Sequence, residues 1–496
     1  QDLAFIDALI REVERQGANA LPVFHVRYPN KLLGNRGADA VAQDYFLDGD
    51  RPRIDVLLNP MMFSLVLAKK EFADILPRLN VPFLQAMTMY TPRAQWEESL
   101  QGLSTMEVSY SAAQPEFDGA LISVPIAGRE EMEHDPITGA LLAKLVPIPD
   151  RVEKLVSLAL NWARLRHRPN RDKKVAIIFH QYPPRNDRIG VAVGLDSFAS
   201  IKLLLDRLAE RGYQVAKTYD SGETLAQEIL AQMTYDRRWQ LPEQQAALAA
   251  AAVGSEHFVA WHRALPQQVQ DKMTADWGLP PGELFVHEGK LHFAGLRNGN
   301  IFLTMQPPRG FSENTAAIIH DPHLSPPHLY LMKYRWLRDV FQADAVIHVG
   351  KHGSLEWLPG KALGLSSSCY PDLAIMDLPN IYPYIINDPS EGTQAKRRSY
   401  CGIVDHLPPA YTNADLYEDL AKVENLLRDY TEAEREDPGK LAILRSQLRE
   451  AVVAADLDKD LEIDEATALA DFPTFLQKLH AYLDDVADTM ITDGLH

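Results

Sequence analysis

Apolar positions along the first third of the chain alternate between two periods. Leu3, Ile6, Leu9, Ile10 and Val13 fall on one face of a 3.6-residue repeat, which predicts a helix over residues 2–17. Short apolar runs follow: ALPVFHV at 20–26, IDVLLN at 54–59, VPFLQAM at 81–87 and ALISVPI at 120–126, with a helical pattern near 38–46. Runs of that length read as strands, and strands alternating with helices predict a parallel sheet. The segment IPDRVEKLVSLALNWARLRHRPN predicts a linking helix over 148–166. Its basic end suits the carbonyl-rich helix terminus, and Pro169 lies just beyond.

A second α/β pattern begins after that helix. VAIIF at 175–179 is a buried-type strand, a helix is predicted over 196–211, and YQVAKTY at 213–219 reads as another strand. An Ala/Gln-rich helical insert occupies 221–277. LFVHEGKLHFAG at 284–295 reads as a hairpin turning at Glu288-Gly289-Lys290, and NIFLTM at 300–305 as a strand. Ser325-Pro326 is a helix start with Pro at the first helical position, and AVIHV at 345–349 is the next strand. From about 410 onward the chain is acidic and helical. The expected fold is multidomain α/β: parallel-sheet, Rossmann-like domains with helical inserts and a helical C-terminal segment. The expected divisions are 1–168, 169–410 with the insert 221–277, and 411–496.

Composition narrows the function classes. The chain has 496 residues, 46% apolar and 24% charged, with a formal net charge of −18. Such a surface argues against nucleic-acid or anionic-membrane partners. Two cysteines, Cys369 and Cys401, exclude a disulfide framework and fit a reducing cytoplasm. No apolar run reaches the roughly 18 residues a membrane span needs. Position 1 is Gln with no signal-like segment after it, and the chain stops at TDGLH, so a piece of something longer is expected.

Candidate chemistry concentrates in residues 345–406. His348, Gly350, Lys351, His352, Gly353 and Glu356 follow an apolar strand, at the carboxyl end of a sheet where α/β proteins bind ligands. Two imidazoles and a carboxylate suit a borderline divalent ion, with Glu356 as ligand or base. Equally, His348 could merely end the strand and His352 bond backbone. A phosphate-binding loop is excluded here. Six residues rather than four separate Gly353 from Gly360, and Ala362 stands where Ser or Thr would hold Mg²⁺. A second cluster, His320, His323 and His328, reads as a ligand group or as a solvated loop entering a helix. A third, Asn387 to Arg398, puts Asp388, Glu391 and Gln394 on a capped helix ending in Lys396, Arg397 and Arg398. That basic triplet is either an anion cradle or a solvated face. The loops 186–190 and 306–310 follow strands and offer Arg188, Gln306 and Arg309, as anion binders or as braces of the sheet edge.

These strings resemble the cobaltochelatase large subunit (CobN type) and, more distantly, the magnesium chelatase H subunit. The resemblance rests on HVGKHGSLEWLPGK, QPPRG, HDP with PPHLY, and NDPSEGTQAKRR, where Ser390 replaces a Gly. It spans the chain and is densest over 170–406. It implies a tetrapyrrole-binding subunit that inserts a divalent metal, Co²⁺ ahead of Mg²⁺, into a corrin precursor such as hydrogenobyrinic acid a,c-diamide. ATP would be hydrolysed by a separate AAA+ partner. It further implies His348, His352 and Glu356 as catalytic and metal-ligating residues, with His320 and His328 as further ligands. Arg188, Gln306, Arg309, Lys351, Asp388, Gln394, Lys396 and Arg397 would contact substrate. A magnesium branch acting on protoporphyrin IX, a non-catalytic tetrapyrrole carrier and a metal-dependent hydrolase are the competing readings.

Overall fold

The pentads VAIIF and AVIHV are apolar on both faces of the pleat, so they require a sheet covered on both sides. The computed structural model of the protein describes residues 3–492 apart from 27–28, 30–31, 69–71, 193–194, 239, 311–317, 319–320, 352, 384–388, 406–410, 414–417, 456, 458–471 and 488–489. It divides into two compact units, Gln1–His406 and Leu407–His496.

The first unit opens with helix α1 (Ala4–Arg15) and a four-stranded sheet. Its strands are β1 (Leu57–Asn59), β2 (Phe83–Met89), β3 (Leu121–His134) and β4 (Leu141–Pro147). The first three run parallel and β4 returns antiparallel to β3. Helix α2 (Pro149–His167) then leads to a six-stranded sheet. That sheet comprises β5 (Val175–Phe179), β6 (Leu296–Asn298), β7 (Ile301–Met305), β8 (Ala345–Val349), β9 (Asn380–Pro383) and β10 (Cys401–Val404). The spatial order is β6-β7-β5-β8-β9-β10, all parallel except the β6–β7 pair. Every residue of β5, β7 and β8 is buried, as their continuous apolar runs require.

The insert between β5 and β6 carries helices α3 (Ser255–Arg263) and α4 (Gln267–Trp277). Helix α5 (His328–Trp336) precedes β8, α6 (Tyr370–Ile375) precedes β9, and α7 (Pro389–Ser399) joins β9 to β10. One core joins the β5–β8 sheet residues to Leu84, Val124, Leu155 and Ala159. The second unit is built on the helices Glu418–Glu436, Leu441–Ala454 and Phe472–Ala487, around Val423, Leu448, Leu479 and Leu483. Among the described residues no helix is long and apolar enough to cross a membrane.

Three local expectations are corrected. Residues 20–26 and 213–219 form no strand and belong to no sheet. The second segment is held instead by Asn298, which bonds both the N–H and the carbonyl of Lys217. Within the insert 221–277, expected to be helical, Ala251–Val253 form a strand, because Leu291–Phe293 pair with them. Helix α5 starts at His328, not at Ser325, since the Ser325 hydroxyl and N–H are both taken by Asp276.

A buried ion cluster ties α2 to α6. Asp372 lies 3.1 Å from Arg151 and 3.0 Å from Lys154, and accepts the Tyr400 hydroxyl at 2.7 Å. Burial raises the Asp372 carboxyl, but Lys154 and Arg151 outweigh it and hold it below the usual range. Asp372→Ala strands two buried cations, so a loss of about 3–5 kcal/mol is expected, read as a lower urea midpoint at unchanged slope. A depressed carboxylate stabilises above its unfolded pKa and stops doing so as pH falls through the folded value. The gap between wild type and variant therefore closes on acidification; a gap that widened in acid would contradict the assignment.

Candidate functional site

Chain connectivity points to one crevice. After β5 the chain leaves toward β7; after β8 it leaves toward β9 on the opposite side. The carboxyl ends of β5 and β8 therefore flank a topological switch point, the place where open α/β sheets bind ligands. His180 follows β5, and the loop from Gly350 to Glu356 follows β8. The His180 N–H bonds the Val349 carbonyl at 3.2 Å, so the ladder extends one step into the crevice.

His348, near the end of β8, is fully tied to protein. Its Nδ1 lies 2.8 Å from Asn380 Oδ1 and its Nε2 2.8 Å from the Tyr334 hydroxyl on α5. Asn380 Nδ2 donates to Ser399, so Oδ1 must accept, and His348 carries its proton on Nδ1. Burial lowers the His348 pKa to about 4, which keeps the ring neutral. The network continues: Gln306 Nε2 donates to Tyr334, Gln306 Oε1 accepts the Ser354 N–H at 2.7 Å, and Tyr330 meets the Ser354 hydroxyl at 2.9 Å. Both ring nitrogens of His348 are spent, so the ring has no lone pair to offer in this arrangement.

Glu356 is the buried carboxylate of the crevice. The Tyr382 hydroxyl donates to Glu356 Oε1 at 3.3 Å and accepts the Gly353 N–H at 3.2 Å. His180 Nδ1 lies 3.1 Å from the Lys351 carbonyl. A methyl built on Gly353 would lie 2.8 Å from His180 Nε2 and 3.0 Å from Glu356 Oε1. The imidazole and the carboxylate thus close over Gly353, and no larger residue fits there. Burial pushes the Glu356 carboxyl up to about 7, with the charge of Glu391 adding to it. The loop's own N–H, Tyr382 and Arg398 act in the opposite direction. Glu356 therefore exchanges a proton near neutrality, as a general acid–base group must.

Arg398 holds the loop that carries Glu356. From α7, its guanidinium donates to the carbonyls of Glu356, Leu358 and Lys361. Lys361 Nζ in turn reaches the carbonyls of Glu97 and Ser99 at 2.9 and 2.7 Å and sits over the Trp96 ring. Residues 356–364 are clamped from both sides.

The other residues singled out from sequence divide by position. Gln306 joins the network above, and Lys351 supplies the carbonyl for His180. Arg309 is buried and donates to the carbonyls of Trp357 and Leu324, as a brace of the same loop. Arg188 is half-buried beside Asp187 after β5. Gln394 is half-buried on α7. Arg397 makes a two-pronged pair with Glu116, and Lys396 lies 3.7 Å from the same carboxylate, so the basic triplet is a paired face rather than an open patch. His328 sits apart, against His262 at the other end of α5. His320, His352 and Asp388 lie outside the described residues. Sequence reading passed over His180, Tyr334, Asn380 and Tyr382, and read Arg398 as part of a surface triplet rather than as the brace of the Glu356 loop. For His180 a signal existed: VAIIFH and AVIH are both apolar strands ending in histidine. Among the described residues, no three His, Cys, Asp or Glu side chains gather to hold a metal ion.

Comparison with known proteins agrees on one family. The family model described as CobN/Magnesium Chelatase matches residues 1–496. An uncharacterised protein of Methanocaldococcus jannaschii is 41% identical over 100% of this chain and 40% of its own length. Aerobic cobaltochelatase subunit CobN of Pseudomonas aeruginosa is 35% identical over 99% of this chain and 38% of its own. The chloroplastic magnesium-chelatase subunit ChlH of Oryza sativa is 31% identical over 99% of this chain and 34% of its own. The catalytic subunit of cobaltochelatase from Mycobacterium tuberculosis matches in structure with a TM-score of 0.69 at 36% identity, over 100% of this chain and 41% of that one. The chain thus spans about two fifths of the length of these relatives.

The geometry of Glu356 generates a titration test. Tyr382 donates to the ionised form and so lowers the Glu356 pKa. Tyr382→Phe is expected to move it upward from about 7. The infrared carboxylic-acid band, assigned by its loss in Glu356→Gln, would then persist to higher pH. A downward or absent shift would remove Tyr382 from the site.

Proposed function

The chain belongs to the CobN/magnesium chelatase family, and from that premise we propose that it is the part of a tetrapyrrole-binding chelatase subunit in which metal meets macrocycle. The observation that carries this reading is Glu356: a buried carboxylate that titrates near neutrality, at the switch point and facing His180.

Metal insertion exchanges two pyrrole-type N–H protons for one divalent cation. It needs a base for the protons and donors that replace part of the cation's hydration. Glu356 is the base: at its raised pKa it is ionised in part at neutral pH and accepts a proton without a large driving-force penalty. The Tyr382 hydroxyl steadies the carboxylate, and Arg398 fixes the loop beneath it. Two donors, His180 Nε2 and a Glu356 oxygen, form one wall of the cation's path. A substrate metal that must be handed on needs an incomplete set, with the remaining positions left to water and then to the macrocycle nitrogens. His352, one residue before Gly353, is assigned as a further donor. His348 positions rather than ligates, through the Asn380 and Tyr334 bonds.

Imidazole with carboxylate favours Co²⁺ over Mg²⁺, which prefers an all-oxygen shell. The CobN relative is also more similar than the ChlH relative, at 35% against 31% identity. The proposed substrates are therefore Co²⁺ and a corrin precursor of the hydrogenobyrinic acid a,c-diamide type. Its peripheral carboxylates are assigned to Arg188 and Lys351, cations at this edge of the sheet, with Lys396 and Arg397 held back by Glu116. ATP hydrolysis is assigned to an AAA+ partner, since Gly353 to Ala362 does not form a phosphate-binding loop.

Two outcomes are expected. In the complete enzyme, Glu356→Gln should lower the insertion rate by about 10²–10⁴-fold while macrocycle binding, read by absorbance titration, changes little. Near-normal insertion would remove Glu356 from the reaction. In the wild type the rate should rise with pH through about 7, as the base loses its proton, and that inflection should be missing in Glu356→Gln. Binding of protoporphyrin in preference to a metal-free corrinoid would move the chain to the magnesium branch.

A further inference from the structure

A second pair of histidines lies away from the crevice, where α3 of the insert meets the start of α5. His328 is the first residue of α5, six positions before Tyr334, or roughly 9 Å along the helix axis at 1.5 Å per residue. It is 1% exposed, and His262 on α3 is 6% exposed. Their ring centroids are 5.2 Å apart. The Nε2 of His328 lies 2.9 Å from the Gly278 carbonyl, so that nitrogen carries the proton. This leaves His328 Nδ1 with its lone pair, buried and without a hydrogen-bond partner. His262 Nε2 is likewise buried and without a partner.

We propose that His262 and His328 form a binding site for a first-row divalent transition-metal cation, separate from the crevice that holds Glu356. Orphaned buried nitrogens are costly unless something satisfies them. A histidine that donates one N–H to a backbone carbonyl and turns the other nitrogen into a buried space has the arrangement that metal-bound histidines adopt. At 5.2 Å between centroids, one cation at about 2.0–2.1 Å can be shared by a nitrogen of each ring. Burial lowers the pKa of His262, and burial together with His262 lowers that of His328, so both rings are neutral donors at physiological pH. His262 also lines a mainly apolar surface cleft that Arg263, Gln270, Asp271 and Thr274 share, which gives room for water ligands beside the ring. Two imidazoles select Co²⁺, Ni²⁺, Cu²⁺ or Zn²⁺ and reject Mg²⁺.

The test uses Co²⁺ alone, titrated into the 496-residue chain and followed by calorimetry and by visible absorbance. The site predicts one equivalent bound through imidazole, retained in Glu356→Gln, and weakened at least about tenfold in His262→Phe. That change keeps a ring for the contact with His328 and removes the nitrogen; circular dichroism reports whether it folds. Excess Mg²⁺ should not compete. On the unaltered chain, Zn²⁺ should shift the side-chain ¹⁵N resonances of both His262 and His328. Wild-type Co²⁺ affinity and stoichiometry in a folded His262→Phe chain would overturn the proposal, as would unshifted resonances for the pair.

Discussion

A carboxylate buried at the edge of a sheet must be compensated, and that constraint organises the first unit. Among the described residues Glu356 has no ion-pair partner; it is balanced by a hydroxyl, an N–H and a cation placed behind its own backbone. Incomplete compensation is what leaves its pKa near 7 rather than in the ordinary carboxylate range. A full salt bridge would have fixed it as an anion, and an apolar wall would have fixed it as an acid. The loop that presents it could not hold that balance alone. Arg398 from α7 and Lys361 over Trp96 supply the stiffness, each by donating to backbone carbonyls.

Two described histidines of this crevice divide the labour. His348 is locked between Asn380 and Tyr334 and passes that order on to Gln306, Ser354 and Tyr330. His180, from the neighbouring strand, is the ring that faces Gly353 and Glu356. A preorganised frame of this kind costs no rearrangement when charge appears, which is the condition for electrostatic catalysis. The cluster Arg151–Asp372–Lys154 performs a different task, holding α2 against α6.

Features written in a short window were legible in the sequence. The pentads of β5 and β8, the helix near 148–166 and the hairpin at Glu288-Gly289 all follow from local period and turn chemistry. Glu356 and Gln306 stand out in the sequence because their motifs are local too. His180 was missed because its partner, Lys351, lies 171 residues away. The triplet Lys396-Arg397-Arg398 could not reveal that its third member turns inward to the Glu356 loop while the second meets Glu116. His328 was read as a companion of His320, yet its neighbour is His262 from the insert. Ser325 looked like a helix cap until Asp276, 49 residues earlier, took its hydroxyl. Each miss is a long-range contact overriding a local preference.

Metal and macrocycle are proposed to meet between the carboxyl ends of β5 and β8. Anomalous diffraction from crystals grown with Co²⁺ and a metal-free corrinoid measures this directly. The expected result is a cobalt peak within about 2.0–2.2 Å of His180 Nε2 or a Glu356 oxygen, with the macrocycle over Gly353. A macrocycle bound elsewhere, with cobalt only at His262 and His328 or at neither place, would contradict it.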